Sequence, residues 1–206
     1  MNSIYPVILS LPERFSRLKG RKKVLSLSRY ARIALAISAE KSSILFDTIA
    51  KDEKGVPLPS DGKHWSITHK PEFVGGVAAH TKIGIDIEKI KVCSGALFEK
   101  TASASEWALS NEEEYKLFFR YWTAKEAVLK AETTGIKGLL RCRVIRIIDE
   151  NNLIINYKDK NWVIEHFFFK DHIASIVKNS FIVKWILMPA STIESAMPRC
   201  AFVEHS

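Results

Sequence analysis

The sequence predicts an α+β protein built from two halves that meet near residue 95. Each half contains a segment with the apolar spacing of a helix and a run of segments typical of β-strands. A hydrophobic content of 47% over 206 residues is enough for a buried core. We therefore expect an N-terminal lobe over 1–95, a C-terminal lobe over 96–190 and a loosely held tail over 191–206.

The first half opens with a predicted strand at 4–11, where most residues are apolar. Apolar residues at helical spacing then predict a helix from Ser26 or Ser28 and a second, short helix over 42–50. Glycines and prolines predict a loop over 54–62. Three strands are expected to follow as a meander: 64–68, 74–79 and 83–88.

The second half contains the strongest predicted helix of the chain, 111–131, with Ser110 as its N-cap. Residues 95–109 also have helical spacing, and Gly135 and Gly138 follow the long helix. Beyond them the content of β-branched and aromatic residues rises. Five strands are expected there: 142–149, 153–157, 162–169, 172–177 and 181–188.

The charge balance predicts an anionic partner. Lys and Arg number 31 against 23 Asp and Glu, which gives a formal net charge of +8. Composition alone leaves three classes of partner open: nucleic acid, phosphate-rich cofactors and acidic proteins.

The cysteines and the N-terminal segment indicate a cytoplasmic protein. Cys93, Cys142 and Cys200 are scattered and form no C-x-x-C pair, so we expect free thiols in a reducing compartment. The first residues lack the pattern of a signal peptide, and no apolar run is long enough for a membrane span.

Two carboxylates are predicted to share one face of a strand at Gly84-Ile85-Asp86-Ile87-Glu88. Residues two apart on a strand project to the same side, so Asp86 and Glu88 would lie side by side. Two like charges this close favour a bound cation, and Mg²⁺ prefers such oxygen ligands. An exposed alternating strand would produce the same pattern without a metal.

A carboxylate and an ammonium group are predicted to share one face of the long helix. Trp122, Glu126 and Lys130 are spaced four residues apart, which places them on the same side. A surface Glu–Lys pair beside a core tryptophan would give the same spacing. Upstream, Thr68 and His69 end a half-buried strand, where a histidine can equally be an ordinary turn residue.

Three segments carry a resemblance to a known family. They are S-I-T-H at 66–69, G-I-D-I-E at 84–88 and W-T-A-K-E-A-V-L-K at 122–130. In this order they resemble the phosphopantetheinyl transferase superfamily, specifically its longer, surfactin-type monomeric branch. The resemblance implies two similar lobes, each with helices packed on an antiparallel sheet, related by a pseudo-twofold axis.

The resemblance also implies the metal and catalytic residues. The metal ligands would be Asp86, Glu88 and Glu126, holding Mg²⁺ with Mn²⁺ as an alternative ion. The catalytic residues would be Glu126, Asp86 and Lys130, with Glu126 taking the proton of the attacking serine. Such a site would also resolve the repulsion between the two strand carboxylates.

Coenzyme A is the substrate that the resemblance implies, and its pyrophosphate would contact Lys130 with Lys125 beside it. Thr68 and His69 would hold phosphates. The loop that frames the adenine would be Gly55-Val56-Pro57, in which Val56 stands where the family often has lysine.

The 3′-phosphate of coenzyme A would lie at the start of the first helix. The resemblance places Ser28 and Arg29 there, with Lys22 and Lys23 nearby. A helix N-terminus attracts anions through its free N–H groups, which gives this placement a physical reason.

The function implied is transfer of 4′-phosphopantetheine from coenzyme A to a serine of an acyl or peptidyl carrier protein, with release of 3′,5′-ADP. We expect a monomer that binds neither nucleic acid nor membrane. Two alternatives stay open: a nucleic-acid-binding module that uses the basic stretch 14–32, and a Mg²⁺-dependent nucleotide hydrolase that uses the same carboxylates.

Overall fold

The computed structural model describes residues 2–53, 55 and 57–194, which form helices and three sheets. The strands are β1 (Ser3–Ile4), β2 (Val7–Ser10), β3 (His64–His69), β4 (Phe73–Ala79), β5 (Ile85–Lys89), β6 (Arg143–Ile147), β7 (Asn152–Tyr157), β8 (Lys160–Phe169), β9 (His172–Val177), β10 (Ile182–Val183) and β11 (Ile186–Pro189). The α-helices are α1 (Gly20–Lys41), α2 (Gly95–Thr101), α3 (Ala104–Trp107), α4 (Glu114–Ala131) and α5 (Ser191–Glu194), and two 3₁₀ helices span Glu13–Arg17 and Ile136–Arg141.

The long helix α1 packs on a four-stranded sheet of order β11–β2–β4–β3. β11 runs parallel to β2, and the other neighbours are antiparallel. Helix and sheet approach so closely that a Cβ atom at Gly76 would lie 2.3 Å from the backbone nitrogen of Leu35. Only glycine leaves room for this close approach. The buried side of α1, which includes Ala31 and Leu35, therefore packs directly on the sheet.

The second long helix, α4, packs on a five-stranded antiparallel sheet of order β5–β9–β8–β7–β6. A Cβ atom at Gly84, just before β5, would lie 1.9 Å from the carbonyl oxygen of Ala127 on α4. The glycine therefore sets the short distance between this strand and this helix. Asp86 on β5 and Glu126 on α4 lie next to that contact in the sequence.

The two larger sheets meet where β3 lies beside β5. The backbone N–H of Ile85 donates to the hydroxyl of Ser66 over 3.2 Å, which joins the two strands without a ladder. The short strands β1 and β10 pair in parallel, as β2 and β11 do, so strands from early and late in the chain lie side by side at two places. The α+β class predicted from the sequence is confirmed.

Several predicted helix boundaries are wrong. α1 begins at Gly20 rather than at Ser26 or Ser28, and 42–50 contains turns and irregular chain instead of a second helix. The helix expected over 95–109 is two short ones, because Ser103 starts α3 with a capping box.

The N-cap of α4 is Glu113, not Ser110. The Glu113 carboxylate accepts hydrogen bonds from the backbone N–H groups of Tyr115 and Lys116. An acidic cap also suits the positive end of the helix dipole, so it replaces the serine expected from the sequence.

The predicted meander is wrong in its third strand. β3 and β4 pair as expected, but β5 forms its hydrogen bonds with β9. Likewise, the strand expected over 181–188 is two short strands, β10 and β11, in different sheets.

The division into lobes at residue 95 stays a prediction, as does the pseudo-twofold axis. β5 belongs to the sheet of the second half and β11 to that of the first, so strands of both sheets cross that position. Of the predicted tail, residues 195–206 lie outside the described residues. Among the helices that the structure describes, none has the length and apolarity needed to cross a membrane.

Candidate active site between the two sheets

One cleft brings the three motif segments together. It lies where β3, β5 and α4 meet and encloses about 280 Å³. Its lining residues are Ile67, Thr68, His69, Lys70, Asp86, Glu88, Trp122, Glu126 and Lys130. Segments far apart in sequence thus contribute three carboxylates, two lysines and an imidazole to one place.

Asp86 is the most deeply buried carboxylate of the cleft, with 4% of its surface exposed. Its Oδ1 accepts hydrogen bonds from Thr68 Oγ1 at 3.0 Å and from Lys130 Nζ at 2.8 Å. Lys130 also donates to the carbonyl oxygen of Ile85 at 3.0 Å. Asp86 Oδ2 is buried and has no hydrogen-bond partner among the described residues.

Glu88 lies two residues further along the same strand and is paired with Lys70, whose Nζ is 2.6 Å from Glu88 Oε1. Burial raises the pKa of Glu88, and the nearby Asp86 charge raises it further, against the hydrogen bond from Lys70. The two strand carboxylates therefore destabilise each other, as their spacing predicts.

Glu126 approaches the same cleft from α4. Its side chain is half-buried, and its Oε1 has no hydrogen-bond partner in the described part of the chain. Burial raises the pKa of Glu126, and the Asp86 charge adds to the effect. A carboxylate with a raised pKa is a better proton acceptor than an ordinary one.

The donor set fits a hard divalent cation such as Mg²⁺. It consists of carboxylate oxygens only, and the buried oxygens Asp86 Oδ2 and Glu126 Oε1 lack partners that a cation would supply. The three carboxylates are not gathered, however, to within 4.8 Å of one another. Glu88 is paired with Lys70 and Asp86 with Lys130, and the like charges of the carboxylates repel one another. The metal site therefore stays a prediction.

In the described residues, a group of potential ligand atoms within 4.8 Å of one another occurs elsewhere, at Glu72, Asp171 and His172. Lys89 bridges its two carboxylates, at 2.8 Å from Glu72 and 2.9 Å from Asp171. A cationic side chain is thus already paired with both exposed carboxylates of this cluster.

His69 is an uncharged member of the cleft at neutral pH. Burial lowers its pKa below the ordinary value, and the ammonium groups of Lys130, Lys51 and Lys70 lower it further. The neutral ring offers a hydrogen bond rather than a charge to a ligand.

A second cavity of about 210 Å³ adjoins the cleft and shares Ile67, Glu126 and Lys130 with it. Gly55 and Pro57 of the predicted adenine loop line this cavity. Val56, between them, lies outside the described residues.

The residues predicted for the 3′-phosphate are all on α1, and none lines either cavity. Because α1 begins at Gly20, Ser28 is in the helix interior and the prediction that it lies at the N-terminus is wrong. Lys22 and Lys23 occupy the first turn instead. A binding role for these residues and for Arg29 stays a prediction.

The prediction that Lys125 contacts pyrophosphate is wrong. The side chain is fully buried on the other side of α4, because one residue along a helix turns the direction by about 100°. Its Nζ donates to Glu106 Oε1 at 2.6 Å and to the carbonyl oxygen of Thr101 at 2.7 Å. No atom of Lys125 is therefore available to a ligand.

The sequence did not indicate Lys51, which precedes the predicted loop and lines the second cavity. It belongs to no motif or periodic pattern, so only the three-dimensional structure identifies it. Arg32, the last residue of the basic stretch 14–32, lies on α1 and lines neither cavity.

The fold and the cleft define an α+β protein in which lysine, threonine and histidine side chains surround an acidic centre. Side chains of these types commonly bind phosphate groups. Residues 82–177 match the family model described as the 4′-phosphopantetheinyl transferase superfamily. Over these residues the chain is similar to this superfamily, and its relatives agree with the surfactin-type branch that the motifs resemble.

Three curated relatives illustrate the similarity. The chain is 31% identical over 121 residues to 4′-phosphopantetheinyl transferase psf-1 of Bacillus pumilus, covering 56% of this chain and 51% of the relative. It is 29% identical over 126 residues to Sfp of Bacillus subtilis (59% and 56%) and 30% identical over 115 residues to HetI of Nostoc sp. (50% and 47%). The chain thus spans about half the length of the curated relatives it matches.

Proposed function

We propose that this chain transfers the 4′-phosphopantetheine group of coenzyme A to a serine of an acyl or peptidyl carrier protein. The observation that carries the proposal is the convergence of Asp86, Glu88, Glu126 and Lys130 on one cleft. The relatives named 4′-phosphopantetheinyl transferase support the same activity. The enzyme would act in the cytoplasm as a monomer.

Coenzyme A would place its diphosphate between the acidic centre and Lys130. Thr68 and His69 would hold phosphate oxygens by hydrogen bonds, since both line the cleft. Gly55 and Pro57 would lie beside the adenine in the adjoining cavity. Asp86, Glu88 and Glu126 would hold Mg²⁺, which would neutralise charge on the diphosphate when bound.

The reaction joins the carrier serine oxygen to the β-phosphorus and breaks the bond from that phosphorus to the oxygen of 3′,5′-ADP. Glu126 would accept the serine proton, a role that its raised pKa favours. Lys130 would stabilise the negative charge that develops on the leaving oxygen of 3′,5′-ADP. Positioning and charge stabilisation account for the catalysis, without a covalent enzyme intermediate.

The test is mass spectrometry of a panel of apo carrier proteins incubated with this chain, coenzyme A and Mg²⁺. Transfer adds about 340 Da to a carrier. Release of 3′,5′-ADP without a carrier adduct would instead identify a hydrolase. Binding of an oligonucleotide that excess coenzyme A does not displace, with no adduct on any carrier, would favour the nucleic-acid module.

A further inference from the structure

A lysine side chain occupies part of the acidic centre. Lys70 Nζ lies 2.6 Å from Glu88 Oε1, and both residues line the cleft. The lysine follows β3 in the turn that leads to β4, where its backbone N–H donates to the carbonyl oxygen of Phe73 at 2.8 Å. The turn therefore places an ammonium group directly on one of the three predicted metal ligands.

The other two predicted ligands each keep an oxygen that a cation could reach. Lys130 Nζ donates to Asp86 Oδ1 at 2.8 Å and to the carbonyl oxygen of Ile85 at 3.0 Å. Asp86 Oδ2 and Glu126 Oε1 are buried and accept no hydrogen bond from the described residues. Lys130 is thus anchored by a second acceptor, and its carboxylate still offers a free oxygen.

Lys70 is held less firmly than Lys130. Within the described part of the chain, Glu88 is the acceptor that its ammonium group contacts, and 32% of the lysine side chain is exposed to solvent. A divalent ion bound to either oxygen of Glu88 would lie within about 7 Å of this ammonium group, because metal–oxygen distances are about 2.1 Å. Two positive charges this close repel each other, so the ammonium group and the ion compete for the carboxylate.

We propose that Lys70 is an internal competitor of the divalent cation at Glu88 and keeps metal affinity low until a phosphate ligand enters the cleft. The inference rests on the proposed function, in which the three carboxylates hold Mg²⁺ and the ligand is the diphosphate of coenzyme A. The ammonium group can then exchange its carboxylate for a phosphate oxygen, since Lys70 lines the same cleft. Metal and substrate thus bind cooperatively, because each favours the separation of Lys70 from Glu88.

Binding of Mn²⁺ to the chain without coenzyme A tests the competition. The free ion is followed by its electron paramagnetic resonance signal at about pH 8, where carboxylates are ionised. Lys70→Met keeps the aliphatic part of the side chain and removes the charge. We expect this variant to bind Mn²⁺ about tenfold more tightly than the wild type, because apparent affinity is reduced by the fraction of time that a ligand is free.

Three further variants separate the charge of Lys70 from other effects. Lys70→Arg keeps the positive charge and should bind Mn²⁺ within about twofold of the wild type. Lys82→Met removes a partner of Glu132, from an ion pair of 2.7 Å outside the cleft, and should leave Mn²⁺ affinity unchanged. The double variant Lys70→Met, Glu88→Gln should lose the gain, because the carboxylate for which lysine and metal compete is gone.

Unchanged Mn²⁺ affinity in Lys70→Met would overturn the competition, as would a gain that persists in the double variant. A chain with either result that still modifies a carrier would keep the proposed function. If no variant bound Mn²⁺ and none modified a carrier, the proposed function itself would be overturned.

The same titration with coenzyme A present tests the exchange. Coenzyme A should strengthen Mn²⁺ binding about fivefold more in the wild type than in Lys70→Met, because only the wild type has a competitor to release. Complexes of Mn²⁺ with free coenzyme A form equally in both mixtures, so they cancel in this comparison. Equal strengthening in the two chains would show that Lys70 does not couple metal binding to substrate binding.

Discussion

At the scale of single residues, Glu126 has a half-buried carboxylate whose Oε1 accepts no hydrogen bond from any described residue. Its pKa is raised by burial and by the charge of Asp86. Such an arrangement costs stability, and proteins retain it where function depends on it. Neutralising Glu126 should therefore lower activity without lowering stability, in contrast to neutralising a structural glutamate.

Glu126→Gln is expected to lower carrier modification by about 10²- to 10⁴-fold, the usual contribution of a general base. Its thermal midpoint should equal or exceed that of the wild type, because the substitution removes a desolvated charge beside Asp86. Activity is measured by carrier mass and stability by thermal unfolding. Glu99→Gln, on an exposed face of α2, should change neither quantity. Wild-type activity in Glu126→Gln would exclude this residue as the base.

Glu106 and Lys125 form the opposite case, a fully paired ion pair in the core. Although burial alone would raise it, the pKa of Glu106 is held below its ordinary value by hydrogen bonds from Lys125 and from the backbone N–H groups of Ser103 and Val144. The pair therefore ties α4 to the start of α3 and to β6.

Lys125→Met should destabilise the protein by about 3–5 kcal/mol, because it leaves the Glu106 charge buried without its partner. The double variant Lys125→Met, Glu106→Gln should recover part of that loss. Urea unfolding measures both. Lys82→Met, which breaks an exposed pair with Glu132, is the comparison and should cost less than about 1 kcal/mol. A cost equally small for Lys125→Met would contradict the core role.

At the scale of elements, the sequence predicts the faces of strands and helices better than their partners. The periods of two and 3.6 residues place Asp86 beside Glu88 and Glu126 beside Lys130, and all four line one cleft. The same periods do not tell which strand pairs with β5, because that choice depends on packing between distant segments. Lys125 was assigned to the cleft by the resemblance, whereas the helix period turns it about 100° away from Glu126 and its partner Glu106 is on another helix.

The close contact between β5 and α4 depends on Gly84. Gly84→Ala would bring a Cβ atom to 1.9 Å from a backbone oxygen of α4, so strand and helix must separate. We expect a loss of about 1–3 kcal/mol in urea unfolding, with weaker carrier modification, because Asp86 and Glu126 move apart. Gly95→Ala is the control, since its Cβ would meet nothing within 4 Å, and it should be neutral or stabilising. Unaltered stability in Gly84→Ala would contradict the tight contact.

At the scale of the whole molecule, the sequence predicts the α+β class because each half has both kinds of pattern, but not the exchange of strands across residue 95. β5 and β11 each join the sheet formed mainly by the other half. Because of this exchange we expect the two helix-on-sheet units to unfold together, so a titratable group buried in one unit should affect global unfolding.

His166 is such a group, buried within the second sheet and hydrogen-bonded through Nδ1 to Ser175 Oγ at 2.8 Å. Burial holds its pKa well below the ordinary value of 6.5, and the Arg120 charge lowers it further. Ser175 in turn lies 2.5 Å from the hydroxyl of Thr123 on α4. The neutral ring therefore belongs to a polar chain between the sheet and the helix.

Below about pH 6.5 this histidine becomes protonated in the unfolded state but not in the folded state. The free energy of unfolding should therefore decrease as the pH is lowered, by up to about 1.4 kcal/mol per pH unit. The raised pKa values of Glu88 and Glu126 act in the opposite direction at lower pH, so the comparison must be between variants. Urea unfolding at intervals from pH 7.5 to about pH 5 should give a smaller slope for His166→Phe than for the wild type, whatever its absolute stability. His80→Gln, at an exposed position, should keep the wild-type slope. Parallel curves for His166→Phe and the wild type would show that the buried ring does not couple folding to pH.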